Sequence, residues 1–107
     1  TVTQIEEKLI INNGGVQRFQ FDYYDGEGTA EEGAGAWPIL NFWLSIYWNL
    51  KGDQNKTEYY FNWVLNNLKK YNGFIPEQIF ADYRIGVYPL AWSHAMFILA
   101  AKKLGKI

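Results

Sequence analysis

The sequence predicts an all-α chain of about four helices in antiparallel hairpins, and three observations predict it. Two segments, Trp37 to Leu50 and Pro89 to Leu104, are apolar on nearly every face. Two others, Val2 to Ile11 and Lys56 to Tyr71, carry one apolar stripe with charged and amide side chains around the rest. The two kinds alternate along the chain, so amphipathic helices lie beside helices that need cover on all sides.

Taken in order, the first helix places Val2, Ile5 and Leu9 on one face and stops at Asn12-Asn13-Gly14-Gly15. Gly15 to Ala36 is glycine-rich and lacks helical periodicity. Segments of this kind inside compact domains are functional loops or disordered ones, and the aromatic, partly alternating run Val16 to Tyr24 predicts order. The first apolar helix then runs to a stop at Lys51-Gly52-Asp53. The second amphipathic one has Tyr60, Trp63, Val64, Leu68 and Tyr71 on its stripe. Next comes Gly73-Phe74-Ile75-Pro76-Glu77-Gln78, then the last apolar helix, closed by Lys102, Lys103 and Gly105. A carboxylate between a glycine turn and a helix that starts at a proline sits at an element end, where side chains project from a rigid scaffold. Glu77 is therefore the leading candidate for chemistry. The apolar helices start at positions 37 and 89, about 52 residues apart, which is the period of a repeated helical hairpin. Outer, inner, outer, inner is the order of an α/α toroid, whose long loops gather on the rim where inner helices begin. Arg18, Tyr24 and Glu77 are expected near one another on that rim.

Composition narrows the function classes. A chain of 107 residues with 49% hydrophobic content suits one domain with one core. A net charge of -1 leaves no basic field, so neither nucleic acid nor an anionic membrane is an expected partner. The absence of cysteine excludes disulfides and thiolate chemistry without identifying a compartment. With one histidine, His94, a histidine-rich metal site is impossible, and neither metal nor cofactor is expected. No apolar run reaches the roughly 20 residues that a bilayer helix needs. Aromatic residues make up 19% of the chain, and rings stack on apolar sugar faces while their polar tips meet hydroxyls. Richness in rings without basic charge favours carbohydrate over nucleic acid. Core packing remains the ordinary role of most of these rings.

Two motifs go further. Pro76-Glu77-Gln78 followed by Pro89-Leu90-Ala91-Trp92-Ser93-His94-Ala95 resembles the end of the catalytic domain of glycoside hydrolase family 15, the glucoamylases and their relatives. Gln17-Arg18-Phe19-Gln20-Phe21-Asp22-Tyr23-Tyr24 is similar to that family's Arg-Tyr-x-x-Asp-x-Tyr segment. The resemblance covers about residues 2 to 104. It implies that Glu77 is the general base, that Arg18 hydrogen-bonds sugar hydroxyls, and that Asp22, Tyr24, Trp37 and Trp92 border the substrate. The match departs at Glu27 to Gly33, which is longer and more acidic, and at Ala36-Trp37-Pro38, where relatives often have Asn-Pro-Trp.

An inverting glycosidase needs an acid to protonate the leaving oxygen and a base to activate water, with the carboxyl groups about 6.5–9.5 Å apart. The family's acid lies on an upstream segment without a counterpart here. The resemblance thus implies that residues 1–107 are the C-terminal portion of a glucoamylase-type domain, inactive alone. Its partners would be an α-glucan or disaccharide and the remainder of the domain, and its uncovered helices would self-associate. Trehalase and glucodextranase are alternatives within the family, and a non-catalytic aromatic-rich module that binds sugar or protein is the alternative from another class. Each residue also has a plainer reading: Glu77 as a solvated loop carboxylate, Arg18 as a surface ion pair with Asp22 or Asp25, and Trp92 as core packing.

Overall fold

The fold turns on a central helix that begins at a proline, where the missing N–H removes nothing from the hydrogen-bond ladder. The structure, a computed structural model, describes residues 1–23, 29 and 31–107. Helix α1 (Val2–Lys8) leads into a hairpin of β1 (Ile10–Ile11) and β2 (Gly15–Val16). Helix α2 (Pro38–Leu50), helix α3 (Gln54–Asn66), a 3-10 turn at Lys69–Tyr71 and helix α4 (Ala91–Lys103) follow. The described part is thus mostly helical, with four α-helices and one small hairpin.

Helices α2 and α3 form an antiparallel hairpin because only Lys51, Gly52 and Asp53 join them. Gly52 reverses the chain at φ 82°, and the Asp53 carboxylate accepts from the Lys56 N–H at 3.0 Å to cap α3. The stripe read from the sequence is the face that packs: Tyr60, Trp63, Val64, Leu68 and Tyr71 are all buried. Phe42 of α2 sits where three helices meet, its ring 5.6 Å from Phe61 of α3 and 5.9 Å from Phe97 of α4. A second, smaller cluster joins Val16, Leu44 and Tyr60 to Val2 and Ile5 of α1. There the Tyr60 hydroxyl donates to Glu6 at 2.6 Å. Burial, and then that bond to Glu6, raise the Tyr60 pKa.

Local structure departs from the sequence reading in three places, and in the first the last helix starts at Ala91 rather than at Pro89, because Leu90, its N-cap, is extended (φ -110°, ψ 123°). The first helix ends at Lys8 rather than at residue 11, because Asn12 (φ 52°), Asn13 (φ 61°) and Gly14 (φ 136°) turn the chain back on itself. Ile10 then pairs with Val16, and Ile11 with Gly15. The turn must be glycine: a Cβ on Gly15 would stand 2.5 Å from that of Ala36 and 2.6 Å from the Trp63 ring. Helix α3 stops at Asn66, before Tyr71, and the Asn67 side chain donates back to the Trp63 carbonyl at 2.6 Å, competing with the helical ladder.

The apolar helices are covered on some sides only. Trp43 and Leu50 on α2, and Trp92, Ile98 and Leu99 on α4, are exposed. On α4 Trp92 and Leu99 stand one above the other at i and i+7, a stripe that Ile98 flanks about 100° round the helix. Such a stripe on an isolated chain is expected to drive self-association. Sedimentation or light scattering at high micromolar concentration should give a mass above that of the monomer, and a clean monomer would overturn the expectation. Among the described residues no helix is long and apolar enough to cross a membrane.

Candidate functional site

The two long loops meet at the head of α2. Ala36 and Ile79 form an antiparallel bridge, Ala36 N–H donating at 2.9 Å and Ile79 N–H at 2.8 Å. Beside it the Gln78 side-chain oxygen accepts from the Gly35 N–H at 3.0 Å. Gln78 is buried, so this bond satisfies a backbone donor that water does not reach. From further along, the Arg84 guanidinium donates to the Gly33 carbonyl and, at 3.4 Å, to that of Glu32. Positions more than forty residues apart in the chain are thereby joined into one rim.

Arg18 stands over the ring of Trp37, the residue after Ala36, in a fixed pose. Its Nε and Nη2 donate to the two oxygens of Asp22, each at 2.7 Å, a bidentate fork. The guanidinium carbon lies 4.5 Å from the centre of the Trp37 ring. The ion pair with Asp22 of the plainer reading does form, but Asp22 is fully buried, so the pair lies only partly at the surface. Asp22 holds the guanidinium, and Trp37, itself buried, forms the plate beneath it at the N-cap of α2. On its other side Arg18 lines an apolar cleft of about 270 Å³ with Val2, Ile5, Leu40, Trp43 and Tyr47.

Glu77 is half-buried, and its N–H donates to the Val87 carbonyl at 2.8 Å. The loop that carries it is clamped to the first turn of α4. Ser93, fully buried, donates its hydroxyl proton to the Pro76 carbonyl at 2.8 Å. The Ile75 N–H donates to Nε2 of His94 at 3.3 Å, while Nδ1 of the same ring lies 2.8 Å from the Leu90 carbonyl, the arrangement of a neutral imidazole protonated at Nδ1. Ser93 and His94 thus link the two halves of the motif physically, a role that spacing alone did not suggest. Glu77 lies two residues before Ile79, whose bridge partner Ala36 immediately precedes Trp37, so one bridge separates the Glu77 segment from the plate under Arg18.

Trp92, in the first turn of α4, is 53% exposed and is not core. Tyr24 lies outside the described residues. Sequence reasoning missed Lys70, Asp82 and Arg84, which organise the arc after Gln78. Arg84 is buried over the Phe80 ring at 4.3 Å and is paired with Asp82 at 2.9 Å. Its hydrogen bonds hold the Asp82 carboxyl below the usual carboxylate range. The clue in the sequence was an arginine in a loop already singled out for its carboxylate. Among the described residues, no three histidine, aspartate or glutamate side chains converge as a metal site. No family model, curated protein or solved structure matches this chain.

Proposed function

We propose that the chain is the C-terminal portion of a glucoamylase-like glycoside hydrolase, which releases glucose from α-glucosidic ends with inversion. One observation carries the reading. The Pro-Glu-Gln loop is clamped to the Trp-Ser-His turn and bridged through Ile79 to Ala36 at the head of α2, beside the Trp37 ring over which the Arg18 fork stacks, which supports the reading. In this reading α2 and α4 are inner helices of a partial (α/α)6 toroid that the rest of the domain completes. Glu77 takes a proton from the water that attacks the anomeric carbon, and Arg18, oriented by Asp22, donates to sugar hydroxyls. Trp37 supports the guanidinium, and Trp92 and Tyr24 border the substrate. The acid that protonates the leaving oxygen comes from another part of the domain. Trehalase and glucodextranase chemistry would use the same base.

A sugar titration followed by NMR tests this. With maltose, trehalose and isomaltose, the expected result is weak binding that moves the signals of Arg18, Trp37 and Glu77, without glucose release, because the acid is missing. Shifts confined to the exposed rings Phe19, Phe21 and Tyr83 would favour the non-catalytic module instead. Glucose release that Glu77→Gln abolishes would show a complete site and defeat the partial-domain reading.

A further inference from the structure

The arc of residues 80–86 is wound around a cation that the chain itself supplies. The Lys70 ammonium donates to the carbonyl of Phe80, to that of Asp82 at 2.9 Å and to that of Arg84 at 3.1 Å. All three of its protons are thus spent on carbonyls at alternate positions of one short segment. The neighbouring Tyr71 hydroxyl accepts the Phe80 N–H at 3.3 Å. The charged side chains facing the ammonium are Asp82 and Arg84, and burial among these groups pulls the Lys70 pKa down although much of its stem is exposed.

The far end of the arc returns onto the candidate base. A Cβ on Gly86 would stand 2.4 Å from the Gln78 carbonyl oxygen, so the two backbones are in direct contact. One residue on, Val87 accepts the Glu77 N–H. The Glu77–Gln78 segment is therefore held by the arc through Val87 and Gly86, while the Gln78 side chain takes the Gly35 N–H and the next residue, Ile79, bridges to Ala36.

We propose that Lys70 is a positioning residue for Glu77, its ammonium acting as a built-in cation that sets the arc against the Glu77–Gln78 peptide. That the residue so positioned is a base rests on the glycosidase reading, while the dependence of the arc on Lys70 does not. An ammonium presents three protons in a tripod, whereas a planar guanidinium does not reproduce them, so arginine is a poor substitute here.

Amide hydrogen exchange on the 107-residue chain tests the proposal. In Lys70→Ala the N–H groups of Glu77 and Phe80 are expected to exchange at least about tenfold faster, from the loss of charge-assisted bonds, while those of Phe61 and Val64 in α3 keep their rates. Propylammonium added to that variant should slow the two loop amides again, which a general loss of packing would not allow. Unchanged loop rates overturn the proposal, and so does a uniform acceleration that propylammonium leaves untouched. Should the variant not fold, the wild-type ammonium gives the answer through its own ¹⁵N signal. Slow proton exchange with couplings to carbonyl carbons supports the cage, and a freely exchanging ammonium overturns it. Sugar titration can fail while this exchange pattern holds, so the two readings fall separately.

Discussion

Arg18→Met is expected to destabilise the chain by about 3–5 kcal/mol, one of the largest effects of any single substitution at the rim. The carboxylate of Asp22 is fully buried, and the guanidinium holds both of its oxygens at 2.7 Å. Without Arg18 that buried carboxylate is left without its charge partner. The reverse change, Asp22→Asn, should cost less, because the Arg18 side chain is 31% exposed and can be rehydrated. The double variant Arg18→Met/Asp22→Leu should recover much of the loss, since removing both charges also removes the desolvation penalty. Urea denaturation measures the differences, and the single variant should melt more than about 10 °C lower. A loss below about 1 kcal/mol would mean that the pair behaves as a surface ion pair and that Arg18 is free to leave its pose.

The order of these costs bears on function. An arginine that recognises hydroxyls works best when its fork is already oriented, because the ordering entropy has been spent in folding rather than at binding. Asp22 and the Trp37 ring provide that order, in keeping with the proposed role of Arg18 in meeting sugar. The same logic applies to Glu77, whose backbone is fixed by Val87, Gln78 and Ser93 around it.

How much of this was legible in the sequence depends on whether the signal was periodic. The stripe of Tyr60, Trp63 and Val64 on α3, continued by Leu68 and Tyr71 beyond its end, was readable because the five repeat at helical spacing, and all five are buried. Asn41 and Ser45 were overlooked, since they sit among apolar residues in a helix read as uniformly hydrophobic. Yet both are fully buried: Asn41 accepts from the Val16 N–H at 3.0 Å and donates to the Gly14 carbonyl at 2.8 Å, fastening the hairpin to α2. Ser45 donates to the Thr57 carbonyl at 2.8 Å. Two polar residues one turn apart are a weak signal that becomes clear only when their partners, remote in sequence, are known. The candidate site divided in the same way. Glu77 and Arg18 stood in short motifs, whereas Lys70 belongs to the 3-10 turn after α3 and reaches loop carbonyls that no local pattern predicts. Gln78 was read as part of a motif, and its buried bond to Gly35 is a long-range event.

Phe42→Ala is the second large effect, expected at about 3–5 kcal/mol. The side chain is fully buried and meets rings from two other helices, with Phe61 and Phe97 themselves 5.8 Å apart. Removing it leaves a cavity that three helices would have to close at once, which the tight α2–α3 turn and the Ala36 bridge hinder. Phe97→Ala deletes the same number of atoms from a side chain that is only half-buried, so it should cost clearly less. A domain of this size is stable by about 5–15 kcal/mol, so Phe42→Ala removes a large share of the total. The head of α2 also carries Trp37 and the bridge, so the loops should loosen with the core. Tryptophan fluorescence and thermal circular dichroism should report one cooperative transition at a lower temperature. Equal costs at positions 42 and 97 would instead mean that the three-helix junction is not the centre of the core.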